Sequence, residues 1–247
     1  MANDPRSQQT GDPREALFRD CATKLAAGDD DANRLLAEIS SHTDYAPGWR
    51  RLGKTLHDLR RFEAAIVALD TALAATPGEP TASLYKAETL FELGRLVEAD
   101  AVLAPERINA GQAGAVAHSR GRIAYADGRL ADARAHLEHA VSAAPRIASA
   151  WFRAGLACHA LGDYMSGAQY YRQARAREPQ MFEAALNEGI CHQTTGAIND
   201  ALAAYALAYQ LEPSCLGRIA HALTTGASGR LWLNPDALAA ELRGLVV

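Results

Sequence analysis

The sequence predicts an all-α chain folded as an α-solenoid, in which antiparallel helix hairpins stack one on the next. Three observations carry that prediction. Small residues recur every 34 positions, at Gly53, Ala87, Gly121, Gly155 and Gly189 and again at Ala65, Ala99, Ala133, Gly167 and Ala201. Helix breakers recur at the same interval, at Pro77, Gly111, Pro145, Pro179 and Pro213. So do apolar residues placed just after a turn, at Phe62, Leu96, Leu130, Tyr164 and Ile198. One shared period of this length marks a repeat architecture, whose units cannot bury their apolar stripes alone and therefore stack.

Taken in order, residues 1–11 are polar and are expected to form a disordered tail, with too little apolar surface to offset the entropy of ordering. Residues 12–45 form a degenerate hairpin with Ala16-Leu17, Leu25-Ala26-Ala27-Gly28 and Leu35-Leu36, as suits a terminal unit that loses the pattern on its outer face. Five regular repeats follow at 46–79, 80–113, 114–147, 148–181 and 182–213. In the first, Trp49, Leu52, Gly53 and Leu56 keep helical spacing, Leu59-Arg60-Arg61 makes the turn, and Phe62, Ala65, Ile66, Leu69, Ala72 and Leu73 form the second stripe. The other turns carry a glycine, in Leu93-Gly94-Arg95, Asp127-Gly128-Arg129, Leu161-Gly162-Asp163 and Thr195-Gly196-Ala197. Repeat 80–113 departs from the pattern, since Ala104-Pro105-Glu106 follows Leu103 and Glu106 stands where the others have alanine; its second helix is expected to be short or broken at Pro105. Small residues serve close helix crossings: Gly53 is expected to meet Ala65 within a hairpin, and Ala72, Ala140, Ala174 and Ala208 to face the following hairpin. Residues 214–247 supply a capping helix at Leu216–Thr225, a link at Gly226–Gly229 and an apolar patch at Leu231-Trp232-Leu233. A tail helix then starts at Asn234-Pro235-Asp236, which gives an N-cap, a proline at the first position and an acid near the dipole's positive end.

Composition narrows the function classes. The 247 residues are 49% apolar and 22% charged, and 19 Gly with 10 Pro is ordinary, which excludes collagen-like and low-complexity chains. The longest apolar run, Ala201 to Tyr209, is far short of the roughly 20 residues of a membrane span. Twenty-five Lys and Arg against 29 Asp and Glu leave a formal charge of −4, without the basic excess of a nucleic-acid binder. Cys21, Cys158, Cys191 and Cys215 are scattered and the opening residues lack a secretory pattern, so a cytoplasmic protein with reduced thiols is expected.

The motifs Trp49-x-x-Leu52-Gly53-x-x-Leu56, Ala65-x-x-x-Leu69 and Pro77, repeated as Trp151, Gly155, Tyr164, Tyr171, Ala174 and Pro179, resemble the tetratricopeptide repeat family over residues 46–213. The resemblance implies a right-handed superhelix whose first helices line a concave groove. On that analogy the lining positions hold Arg50, Arg51, Lys54, His57, Asp58, Tyr85, Glu88, Phe91, Glu92, His118, Arg122, Tyr125, Phe152, Arg153, His159, Asn187 and Gln193. Arg50, Lys54, Tyr85, Arg122, Tyr125, Phe152, Arg153 and Asn187 are the expected peptide-binding residues: arginine forks carboxylates, and the rings offer rigid contact area. Chaperone-binding members clamp a C-terminal carboxylate with Lys, Asn and Arg at set positions. Here Arg50 and Lys54 fill the first two places, but Tyr85 and Ser119 replace the next two, which argues against a chaperone-tail receptor.

Catalytic and metal patterns are weak. Cys158-His159 and Cys191-His192 look like paired ligands, yet Cys158 falls at the core position of Leu56 and Leu90. His136 and His139 lack a third ligand, and no metalloprotease, nucleophile-elbow, phosphate-loop or dinucleotide motif occurs. Lys86, Arg120 and Glu188 share a usually apolar repeat position, where an ion network between repeats is expected. The sequence thus predicts a non-catalytic adaptor that needs no cofactor or metal and binds a protein or peptide carrying acidic groups, with neither nucleic acid nor membrane as partner. The alternative is an accessory subunit that presents a peptide or carrier substrate to an enzyme in trans. Self-association through the C-terminal tail is a further expectation to test.

Overall fold

The structure, a computed structural model, describes residues 12–103, 110–225 and 234–245. Every regular element among them is a helix. The order is α1 (Pro13–Ala27), α2 (Asp31–Ile39), α3 (Ala46–Asp58), α4 (Phe62–Ala75), α5 (Pro80–Glu92), α6 (Leu96–Val102), α7 (Ala113–Ala126), α8 (Leu130–Ala143), α9 (Ala148–Ala160), α10 (Tyr164–Arg177), α11 (Phe182–Thr194), α12 (Ile198–Leu211), α13 (Leu216–Thr225) and α14 (Pro235–Gly244). Two compact units divide between Ser119 and Arg120. Residues 1–11, Pro105 and the Leu231-Trp232-Leu233 patch lie outside the described residues, as do the expectations attached to them.

The punctuation read from the sequence has a local cause. The first helix of each pair closes when its turn residue enters the left-handed region, at φ 73° for Gly94, 78° for Gly128 and Gly162 and 82° for Gly196. Two backbone N–H groups then reach back to orphaned carbonyls, as Gly94 N to Phe91 O and Arg95 N to Leu90 O, both 2.9 Å. Arg60 makes the same turn at φ 58° without being glycine. Second helices α4, α8, α10 and α12 each end two residues before Pro77, Pro145, Pro179 and Pro213.

Within a hairpin the first helix lies against the second through a missing side chain. A Cβ on Gly53 would stand 2.5 Å from Leu69 Cγ and 3.4 Å from the Ala65 carbonyl, so the closest partner is Leu69 rather than Ala65 itself. Gly121 meets Leu137 in the same way, and Gly155 and Gly189 meet the rings of Tyr171 and Tyr205 at 2.6 and 2.5 Å. Leu69, Leu137, Tyr171 and Tyr205 are fully buried. Such contact leaves no room for even a methyl group.

In the first unit, α1 docks on α3 through Phe18, whose ring centroid lies 5.5 Å from that of Tyr45 and 5.4 Å from Trp49. Gly48 lets Phe18 in, since a Cβ there would come within 2.5 Å of the ring. The second helix of the third hairpin, α6, has seven residues where α4 has fourteen. It runs far enough to place Leu103 in the core, 1% exposed, and stops before Glu106. In the second unit, α14 lays Leu238 and Leu242 into one apolar cluster with Tyr205, Ile219 and Leu223, covering α12 and α13. Asn234 caps α14 by accepting from the N–H of Asp236 at 2.9 Å and of Ala237 at 3.4 Å.

Charges tie consecutive hairpins. Lys86 on α5 pairs with Asp70 on α4 at 2.5 Å. Glu188 on α11, its side chain 3% exposed, pairs with Arg172 at 3.0 Å and Arg175 at 2.8 Å on α10, with His192 at 3.7 Å. Both ties span the same sixteen residues, Asp70 to Lys86 and Arg172 to Glu188, with the signs exchanged.

Candidate functional site

The first helices carry the residues expected to bind. In the first unit, α3 and α5 bring Lys54 and Tyr85 together, with the ammonium 6.0 Å from the ring centroid. Lys54 is also held by Asp58 at 2.6 Å, one turn along α3. That hydrogen bond raises the lysine's pKa. His57 Nδ1 and Thr89 Oγ1 lie 3.0 Å apart across the same seam. Arg50 is occupied elsewhere: its Nη1 donates to Glu79 Oε1 at 2.9 Å, while Glu79 Oε2 accepts the Ala82 N–H at 2.5 Å and caps α5. Arg50 therefore braces the entry of the next repeat. A second cleft on this unit, about 570 Å³, lies between α1 and α3 and is lined by Glu15, Arg19, Ala22, Arg51 and Asp58 among others.

In the second unit, α7 supplies Arg122 and Tyr125, α9 supplies Phe152 and Arg153, and α11 supplies Asn187. The ring of Phe152 rests 5.6 Å from that of Tyr171, which fixes it as a wall. Tyr125 packs against the cluster of Ala124, Leu137 and Ala154. Arg153 is partly buried and makes no hydrogen bond or ion pair among the described residues. Burial pulls its pKa below the usual guanidinium value, and the like charge of Arg122 pulls it further. Asn187 stands one repeat beyond Arg153, partly buried on α11. Chemically this is a set of cations and aromatic rings on the first helices that can bind an anion.

The cysteine–histidine pairs do not form a site. Cys158 and Cys191 are fully buried, and burial lifts their thiols to about 11 and about 12, which leaves them protonated at neutral pH. Among the described residues no group of three His, Cys, Asp or Glu could hold a metal ion, and no helix is long and apolar enough to cross a membrane.

Sequence reasoning missed Phe18, Glu79 and the arginine partners of Glu188. Arg172, His192, Tyr164, Met165, Gln169 and Asp200 also line a cleft of about 380 Å³ between α10, α11 and the start of α12. The signal for Glu188's partners is a charge at a usually apolar position, answered sixteen residues earlier.

With this geometry in place, a family model for the tetratricopeptide repeat matches residues 50–110, 118–164 and 160–214. The chain belongs to the tetratricopeptide repeat family. Solved structures of tetratricopeptide-fold proteins agree. MamA is 19% identical with a TM-score of 0.59, over 66% of this chain and 95% of its own. YrrB, described as a TPR protein with an unusual peptide-binding site, is 17% identical with a TM-score of 0.57, over 72% of this chain and 92% of its own. TTC0263, a TPR protein of Thermus thermophilus, is 26% identical with a TM-score of 0.52, over 72% and 99%. No curated protein matches the sequence. The tetratricopeptide hairpins thus account for the regular helix pairs and for the glycines at their crossings.

Proposed function

We propose that this chain is a non-catalytic, cytoplasmic adaptor that binds a peptide segment of a partner protein along the first helices of its repeats. The observation that carries this reading is Arg153, a partly buried guanidinium beside Arg122 with no carboxylate partner among the described residues. A cation left in that state is costly alone and is stabilised when an acidic group arrives. Phe152, the preceding residue on α9, and Tyr125 on α7 supply rings that suit an apolar side chain next to the acid. Lys54 and Tyr85 repeat the cation-and-ring combination in the first unit. Arg50 contributes through Glu79 to the scaffold, and Asn187 offers an amide to the ligand backbone. Peptide binding by YrrB, a protein of the same fold, supports the class. The four buried, separate thiols agree with a reducing compartment.

The test is fluorescence anisotropy with pools of degenerate peptides that fix either Glu or Gln at the centre. The Glu pool is expected to bind, and Arg153→Ala to weaken it about tenfold, as loss of a charge-assisted pair does. Equal binding of both pools, unchanged in Arg153→Ala, would overturn the proposal. Thermal unfolding of the variant checks that the fold is intact.

A further inference from the structure

We propose that the cleft between Trp151 and α10 is a second peptide site, which takes a proline-rich segment in the polyproline II conformation with an acidic residue beside the prolines. It uses none of the residues assigned above to the ligand and so goes beyond the adaptor reading.

The starting point is a tryptophan that the repeat leaves open. Trp49 and Trp151 hold one repeat position, three periods of 34 apart. Trp49 is sealed by Phe18, at 5.4 Å between ring centroids, and is 9% exposed. Trp151 is only partly buried and borders a cleft of about 440 Å³, lined also by Ser166, Gln169, Tyr170, Arg172 and Gln173. Ser166, Gln169, Tyr170 and Gln173 stand at i, i+3, i+4 and i+7 on one face of α10, and Arg177 continues that face at i+11. The indole is fixed in place. Its Nε1 donates to the Pro145 carbonyl at 2.9 Å, and Arg177, whose Nε donates to the same carbonyl, lies 4.2 Å from the ring centroid. The Tyr170 ring meets the indole at 5.9 Å and 42°. The Tyr170 hydroxyl is held by Glu138, which also pairs with Arg134 at 2.8 Å. Two braced rings tilted in this way form a preorganised apolar corner.

The polar groups decide the occupant. Arg177 Nη1 donates to Gln173 Oε1 at 2.8 Å and to the Gln173 carbonyl at 2.6 Å, which turns the Gln173 amide so that its N–H groups remain to donate. The Gln169 side chain is exposed and makes no hydrogen bond among the described residues. No carboxylate lines the cleft. Donors beside aromatic rings suit a chain that offers carbonyls and few N–H groups. Polyproline II is such a chain, since proline has no N–H and the carbonyls are unpaired. From Ser166 to Arg177 the helix runs about 16 Å, room for about five ligand residues at 3.1 Å each. Charge complementarity adds the acid. The residues of α10 include Arg172, Arg175 and Arg177 and no acidic one. Arg172 and Arg175 share Glu188, whereas Arg177 bonds only to neutral oxygens and makes no ion pair among the described residues. It is a positioned cation whose charge a ligand carboxylate would complete.

The experiment uses the full chain and three degenerate peptide pools read by anisotropy. One pool fixes two prolines three positions apart with a neighbouring Glu, the second replaces that Glu with Gln, and the third replaces both prolines with Ala. The first pool is expected to bind about tenfold tighter than either of the others. Arg177→Gln should bring the Glu and Gln pools level. Trp151→Ala and Tyr170→Ala should each bring the proline and alanine pools level, and Arg153→Ala should leave the first pool unaffected. Equal binding of the proline and alanine pools would overturn the proposal, as would a first pool indifferent to both Arg177→Gln and Tyr170→Ala. Loss of the first pool's binding in Arg153→Ala would also overturn it, by moving the segment to the first helices, and would leave the adaptor reading standing. Failure of the central-Glu pools to respond to Arg153→Ala would end the adaptor reading without touching the proline result. Urea unfolding accompanies each variant; where Trp151→Ala loses stability, Tyr170→Ala and Arg177→Gln decide.

Discussion

Arg60 shows how little a turn residue need be ideal. Its left-handed φ of 58° costs a side-chain-bearing residue about 1–2 kcal/mol, and part of this is offset by the guanidinium lying 5.4 Å from the Phe62 ring centroid. At Gly162, φ is 78° and a Cβ would meet nothing within 4 Å, so only the backbone objects. Gly162→Ala is expected to lose about 1 kcal/mol, measured by urea unfolding. The two buried tyrosines give an opposed pair. Tyr205 donates its hydroxyl to Gln193 Oε1 at 2.7 Å, and Gln193 Nε2 donates to the Ala222 carbonyl at 2.7 Å, which links α12, α11 and α13. Tyr171 occupies the same repeat position, and its hydroxyl has no hydrogen-bond partner among the described residues. Tyr205→Phe should cost about 1–3 kcal/mol by stranding Gln193, while Tyr171→Phe should be neutral or stabilising by up to about 1 kcal/mol. The sequence marks both positions as core but cannot say which hydroxyl finds a partner, because Gln193 has His159 as its counterpart one repeat earlier.

At the scale of elements, periodicity makes helix ends legible wherever a breaker is local. Glycine turns and the prolines two residues beyond α4, α8, α10 and α12 act within a few residues, so reading them needs no tertiary knowledge. The shortness of α6 is legible for the same reason, since Pro105 and Glu106 interrupt the stripe. The N-terminal hairpin is harder: its anchor, Phe18, is recognised as such only once Gly48, Tyr45 and Trp49 close around it. The last helix, α14, depends on both kinds of information. Its start is written in Asn234-Pro235-Asp236, but its stability comes from Leu238 and Leu242 against Tyr205 and Ile219. Leu238→Ala should cost about 2–4 kcal/mol, and hydrogen exchange should show α14 and α13 opening together before α11.

For the whole molecule, titration gives a check with a definite sign. Burial holds the His159 imidazole below its ordinary value of 6.5, so the unfolded chain takes up that proton first. Stability should therefore fall as pH drops from 6.5 through the lower native value. Asp163 acts in the same sense at lower pH. The Ser166 N–H it accepts, together with Arg134, keeps its carboxyl below 3.8. Its contribution is complete above pH 3.8 and disappears as acid carries the pH through the native value. Urea unfolding across pH should be level above about 7, decline below 6.5 and decline again below 3.8, with the first decline reduced in His159→Gln.

The binding face is only partly legible in the sequence, because a side chain's availability is decided by residues some thirty positions away. Arg50 and Arg153 look alike in sequence, yet one is taken by Glu79 and the other is left without a carboxylate among the described residues.

The sixteen-residue ion ties carry one last consequence, for the order of the repeats. Asp70 offers a negative charge to Lys86, whereas Arg172 offers a positive one to Glu188. Grafting the repeat that begins at residue 80 behind α10 would set Lys86 against Arg172 and Arg175, cation upon cation. Hairpins of nearly one shape thus carry keyed edges, and a gene that shuffled or duplicated these modules would produce a misfit at the join although every piece could still form its own pair of helices.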